Sequence, residues 1–364
     1  MSVRGGLASF FAGRGVATVD VTPGAAVPLR FSEPAAEHLA TRRAAGLFDF
    51  SFMGRYEVSG RDGRAFLDRV QTRGLARFAP GTLHYTLLCD DDGRVFNDAT
   101  VWRLADDRFW IFTGRRTDFH HLAASRGTLE VRVDDVSQAC AVLAVQGPRS
   151  AAILSRVLPG AAVAALRYFH FAADNWRGRS AWVARLGYSG EQGYEVVVAA
   201  DDAAELWAAL LAAGSSDGLL ECGFGAADSL RIESGFILFT RELATPLTPF
   251  ELGLARLVSF DGRPFRGSGA LRPLRWREPQ RRLCGILPGR RAPSACGLPK
   301  AHATSEAHSP VFGRTLALGL VDRGATAPGT TVALDDGRIG RVARLPFYDP
   351  ARALPRLAPR IPAE

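Results

Sequence analysis

The chain has 364 residues, 47% of them hydrophobic and 23% charged, the balance of a folded protein of two or three domains. No apolar run approaches the ~20 residues a bilayer-crossing helix needs, and Arg14 breaks the short apolar patch 7–11 before any cleavage signal, so neither a span nor a secretory leader is expected and the cytoplasm is. The net charge of +8 is carried almost wholly by arginines that are scattered and not interleaved with aromatics, which argues against nucleic acid and for an anionic small ligand.

In chain order, the first ~30 residues carry Gly, Ala and Val without a clean period and read as irregular. A helix is expected over 37–45, stopped at Gly46, where a missing Cβ tolerates a left-handed cap. A strand at 55–58 and a turn at 60–63 lead to a helix capped by Asp62, with Ala65, Phe66, Arg69 and Val70 at helical spacing. Strands at 85–89 and 95–104 flank the turn Asp90-Asp91-Asp92-Gly93, so Asp98 falls on the return strand of a hairpin. Further strands are expected at 109–113 and 129–133.

An apolar run from Ala139 ends at Gln146-Gly147-Pro148, with Pro148 expected at the first position of a helix that stops at Pro159-Gly160. Two strands flank 187–193. A helix over 203–213 gathers Leu206, Trp207, Leu210 and Leu211 on one side, and another covers 226–234. Arg, Pro and Gly mark a linker at 272–282; short strands at 283–287, 316–321 and 331–334 then describe a small all-β domain. The proline-bearing tail after Pro346 is expected on the surface. The fold class is α+β.

Standard signatures fail one by one. Gly223-Phe224-Gly225 is half of a dinucleotide fingerprint, but Asp228 stands where the third glycine belongs and would repel a pyrophosphate. Ser189 is displaced by one residue from a nucleophile elbow, and the adjacent His120 and His121 point apart on any regular element. Five cysteines without CxxC spacing suggest neither a disulfide framework nor zinc, and no metal is expected.

What remains is a run of three glycines and two tyrosines, Gly187-Tyr188-Ser189-Gly190-Glu191-Gln192-Gly193-Tyr194-Glu195, ahead of an apolar strand. Glu195 at that strand's start is expected to be partly buried, and a buried carboxylate needs a partner. The residues alone leave two partners open: a planar ligand edge with two N–H donors, or an arginine such as Arg231 in a purely structural turn.

The chain resembles the glycine cleavage T-protein (aminomethyltransferase) family from Val27 to Tyr348. The resemblance runs through Glu37-His38, Gly46-Leu47-Phe48-Asp49-Phe50-Ser51, Tyr85 with Asp98 thirteen residues later, Val145-Gln146-Gly147-Pro148 and the 187–195 run. Asp228-Ser229-Leu230-Arg231-Ile232-Glu233, Thr248-Pro249-Phe250-Glu251-Leu252-Gly253-Leu254, Phe265-Arg266-Gly267, Thr304-Ser305, Ser309-Pro310 and Pro346-Phe347 follow in the family's order. It implies a three-lobed folate-binding fold: interleaved α+β lobes over 1–271, a linker at 272–282 and a small C-terminal β-barrel over 283–364.

The implied activity is transfer of a one-carbon unit to N5 of tetrahydrofolate. The donor is a small molecule or the aminomethylated lipoyl arm of an H-protein-like partner that docks transiently. By resemblance Asp98 is the catalytic carboxylate, stabilising positive character on the attacking nitrogen and accepting its proton. Glu195 matches the acid that grips the pterin's two-pronged donor edge, and Tyr85, Trp102 and Tyr188 match aromatic wall positions.

The sequence also departs from the family pattern. Phe52 replaces a histidine, Ala227 an arginine, Phe169 and Phe236 tyrosines, and Asn97 the first of two paired acids; the segment 290–305 is shorter. These changes leave two alternatives to aminomethyl transfer open at this level: folate-dependent demethylation of a small N-, O- or S-methyl compound, and folate binding without turnover.

Overall fold

The computed structural model describes residues 7–76, 78–291 and 297–359. It contains a five-stranded antiparallel sheet, a six-stranded mixed sheet and a closed five-stranded barrel, preceded by a short helix Leu7–Gly13 and a hairpin Thr18–Thr22/Ala25–Pro28. That helix and hairpin lie where the sequence showed no period. Their ordering comes from tertiary burial, with Phe11 packed edge-on against Trp207 at 5.0 Å.

In the first sheet the strand order is Leu83–Cys89, Val95–Arg103, Arg108–Thr113, Gly54–Ser59, Arg132–Asp135. The second of these alternates: Val95, Asn97, Ala99 and Val101 are buried, whereas Phe96, Asp98 and Thr100 are half-buried. Ala99 and Val101 pack into a core with Phe66, Leu67 and Val70 of the helix Gly63–Val70. The opposite face, bearing Asp98, is thereby turned toward the rest of the molecule.

The second sheet runs Phe171–Trp176, Arg179–Ala184, Gly193–Ala199, Cys140–Gln146, Ala45–Asp49, Leu219–Glu221, with only the last pair parallel. Gly193–Ala199 is buried at every position but its last, and Glu195 is its one charged residue. Helices Ser150–Val157 and Ala203–Gly214 cover one face through Ile153, Leu154, Leu206, Trp207 and Leu210. A third cluster, including Phe48, Phe50, Trp102, Phe112, Phe171 and Leu186, joins the two sheets.

The barrel order is Arg281–Arg291, Arg314–Asp322, Lys300–Ser309, Thr331–Leu334, Arg338–Ala343. It is tied to the helix Phe224–Glu233 by buried hydrogen bonds, from Arg231 to Ser305 and from Ser309 to Glu233. Arg231, wholly buried, donates to Glu242 at 2.9 Å, to Ser305 at 2.7 Å and to Asp228 at 2.8 Å. Glu195 is therefore not Arg231's partner.

Several local expectations need correction. The first long helix is Pro34–Arg43, and Gly46 lies inside the following strand. A Cβ there would meet Thr41 Oγ1 at 2.3 Å and Cys222 Sγ at 2.8 Å, so close packing rather than a cap requires glycine. Asp62 does not cap its helix; its carboxylate accepts the Glu130 N–H at 2.7 Å. The helix after Gln146 begins at Ser150, two residues beyond Pro148, and the strand expected at 129–133 spans Arg132–Asp135.

The tail lies on the surface as expected, but it is pinned there. Pro355 is buried, Arg185 donates to its carbonyl at 3.0 Å, and Gln192 donates to those of Leu357 and Ala358 at 3.1 and 3.3 Å. Among the described residues Cys89, Cys140, Cys222 and Cys284 are free, no group of side chains has the makings of a metal site, and no helix is long and apolar enough to cross a membrane. Cys296 lies outside the described residues.

Candidate functional site

Beside the aromatic cluster that joins the sheets lies a cavity of about 720 Å³, a size suited to a metabolite of a few rings. Tyr85, Asp98 and Thr100 enter it from the first sheet, Glu195 from the second, and Tyr188 from the loop between the strands Arg179–Ala184 and Gly193–Ala199. The segment 234–239 and the C-terminal residues Pro346, Tyr348, Asp349, Arg352, Pro355 and Arg356 complete the wall.

Asp98 is held by Tyr85, whose hydroxyl donates to its Oδ2 at 2.8 Å. Thirteen residues apart in sequence, the two are brought near by the hairpin register, in which Tyr85 faces Thr100 and Leu87 faces Asp98. Burial pushes the Asp98 carboxyl up to about 6, and the Tyr85 hydrogen bond opposes that rise. The group is thus ionised at neutral pH but close enough to its titration to accept and return a proton.

Glu195 sits opposite Ala184 and Ala144 in the second sheet and is 7% exposed. Among the described residues its carboxylate has neither an ion pair nor a hydrogen bond. Burial alone pushes it up to about 7. A carboxylate in this position lacks the donors that native interiors normally provide, and it faces the cavity.

The comparisons with known proteins agree with this geometry. The family model described as GCVT N-terminal domain matches residues 8–262. The aminomethyltransferase of Streptomyces avermitilis is 37% identical over 341 residues, covering 88% of this chain and 91% of that protein. That of Geobacillus kaustophilus is 36% identical over 97% of this chain and all of its own length. The chain belongs to the aminomethyltransferase family.

Among solved structures, the glycine cleavage system aminomethyltransferase T from Bartonella henselae matches with a TM-score of 0.81 at 26% identity, covering 94% of this chain and 97% of that one. The chain is accordingly an enzyme, a transferase of the aminomethyltransferase type. Its α+β lobes and small barrel are those of the family.

Within this enzyme, four of the five sequence-derived site residues, Tyr85, Asp98, Tyr188 and Glu195, share the one cavity. Tyr188 stacks on Phe236 at 5.8 Å and donates its hydroxyl to the Ile237 carbonyl at 2.6 Å. Trp102 is the exception. It is wholly buried, stacked at 5.1 Å on Phe171 and 4.9 Å from Phe112, and does not line the cavity. Its place four residues beyond Asp98 keeps it on the same strand face, but about 13 Å further along, under the seam between the sheets.

Four of the five single residues that depart from the family pattern, Phe52, Phe169, Ala227 and Phe236, line the cavity, Asn97 being the exception. Phe52 lies 6.4 Å from Phe239 and 6.3 Å from Phe224, so one end of the cavity is walled by phenylalanine.

Sequence reading missed the arginines of the cavity lining. Arg73, Arg256, Arg352 and Arg356 line the cavity, and none is in an ion pair among the described residues. Burial lowers Arg73 and Arg352, and in each case the charge of Arg256 adds to the effect. Arg352 stands over the Phe236 ring at 5.5 Å and Arg356 over Tyr168 at 5.4 Å. His84, pushed down to about 4 by burial and by Arg73, is neutral beside them. Nothing local marked these arginines among so many; Arg352 and Arg356 join Arg73 and Arg256 because the tail folds back.

Proposed function

We propose that this enzyme binds tetrahydrofolate in the cavity and moves a one-carbon unit from an aminomethyl donor to it with loss of ammonia. The observation that carries the reading is that one cavity is lined both by the buried carboxylate of Glu195, which has no partner among the described residues, and by four arginines that are in no ion pair among the described residues. A reduced pterin offers a donor edge for the first, and the glutamate carboxylates of folate suit the second. When bound, tetrahydrofolate supplies the nucleophilic nitrogen that accepts the carbon.

The chain's own residues then divide the work. Glu195 would accept two N–H donors from the ring, an arrangement that fixes register as well as supplying affinity. Tyr85 from the first sheet and Tyr188 from the loop ahead of Gly193 confine the ligand. Asp98 would stabilise the positive charge that develops during attack and hold the proton released, a role its position near the limit of ionisation suits. Placing the carboxylate in a largely apolar cavity strengthens that interaction relative to water.

The donor we assign is an aminomethylated lipoyl arm carried by an H-protein-like partner, its narrow thioether chain suited to the phenylalanine-walled end. A cytoplasmic setting fits the free cysteines.

The test is to incubate the enzyme with tetrahydrofolate and an aminomethyl-loaded lipoyl carrier and to identify the folate product by mass spectrometry. Formation of 5,10-methylene-tetrahydrofolate with ammonia is expected. Asp98→Asn is expected to lower turnover about 100-fold or more while folate affinity changes little. A 5-methyl product from methylated amines, or no product from any donor, would contradict the assignment.

A further inference from the structure

Behind the wall that carries Asp98, a second buried carboxylate is connected to it through one amide. The strand Val95–Arg103 turns Asp98 toward the cavity and Asn97, wholly buried, to the opposite face. The ladder with Arg108–Thr113 ends at the Ala99–Thr113 pair, one residue short of Asp98. There the Asp98 N–H donates to Asn97 Oδ1 at 2.9 Å. Asn97 in turn donates through Nδ2 to Asp118 Oδ2.

Asp118 is 5% exposed and opens the helix Asp118–Ala124. With its oxygen on a main-chain N–H and its nitrogen on a carboxylate, the Asn97 amide can take only one orientation. An acid at 97 could not make both contacts while ionised, because it has no donor.

We propose that Asn97 and Asp118 are positioning residues: Asp118 locks the Asn97 amide, and Asn97 clamps the main chain at Asp98, so that the Asp98 carboxylate meets the cavity in a single orientation. The inference rests on the reading of Asp98 as the catalytic carboxylate. The arrangement also carries charge. Asp98 is faced by Tyr85 and Tyr188 from the cavity side and by Arg115 and Asp118 from behind; Asp118 raises its proton affinity and Arg115 lowers it. Around Asp118 itself stand Arg115, which donates to the Phe96 carbonyl, and Tyr56, which donates to the Arg115 and Arg116 carbonyls.

The experiment compares wild type, Asp118→Asn, Asn97→Ala and Asp98→Asn in the full chain, with tetrahydrofolate and the aminomethyl-loaded carrier, across pH. In Asp118→Asn an oxygen remains to accept from Asn97 but the charge is gone, so the acid limb of kcat/KM is expected to move to lower pH. Asn97→Ala is expected to lower kcat about 10- to 100-fold with KM for tetrahydrofolate changed by about twofold or less.

A profile for Asp118→Asn that superimposes on wild type, or full kcat in Asn97→Ala, overturns the proposal. If Asn97→Ala fails to fold, the isosteric Asp118→Asn profile still decides. Loss of turnover in Asp98→Asn alongside wild-type behaviour of the other two removes the positioning proposal and leaves the catalytic assignment standing. Turnover retained in Asp98→Asn removes the assignment itself.

Discussion

Glu195 shows how one side chain can couple stability to function. Its folded-state titration near 7 lies above the 4.5 of an exposed glutamate, so the stability it contributes is full below about 4.5 and falls as pH rises through 7. Glu195→Gln is therefore expected to stabilise the ligand-free protein at pH 8, by up to about 3 kcal/mol, and to leave it unchanged near pH 4. Thermal melts across pH measure this; a variant no more stable at pH 8 would mean that the carboxylate is satisfied after all. The same variant is expected to bind tetrahydrofolate about 10- to 100-fold more weakly, as calorimetry would show. The special character of Glu195 was half legible: glycines and tyrosines flagged the segment, but only the fold shows that Arg231 is engaged elsewhere and leaves Glu195 alone.

At the scale of elements, the hairpin was readable because a four-residue polar turn separates two alternating strands. The strand Lys300–Ser309 was not, since its His, Thr, Ser and Glu residues give no apolar run; partners on either side of the barrel define it. Trp102 was carried over from the resemblance alone, and its burial under the seam between the sheets, on Asp98's strand face but further along, shows only in the fold. Trp102→Ala is accordingly expected to cost about 3–5 kcal/mol in chemical denaturation while tetrahydrofolate affinity stays within about twofold. A large loss of affinity without loss of stability would restore Trp102 to the ligand.

The tail's part in the cavity went unread for a different reason. Its prolines do prevent regular structure, but carbonyls freed from a ladder are taken up by Arg185 and Gln192. Replacing Arg352 and Arg356 together by alanine is expected to weaken folate binding about tenfold at low salt, with the deficit shrinking as salt rises. A deficit indifferent to salt would point to lost packing over Phe236 and Tyr168 instead.

For the whole molecule, composition excluded a membrane span and pointed to an anionic ligand, and the ordered motifs revealed the family. What could not be read was convergence: two sheets, a segment after the helix Phe224–Glu233 and the chain's last turns meet around one cavity, although they are separated by up to two hundred residues or more. Such contacts are set by how the lobes dock, and no window of sequence encodes them. The most direct test is a crystal structure of the enzyme with tetrahydrofolate. The pterin is expected with its amino edge on Glu195, its reactive nitrogens turned to Asp98 and its glutamate among Arg73, Arg256, Arg352 and Arg356. A pterin bound outside this cavity, or reversed within it so that neither acid touches the ring, would contradict the account.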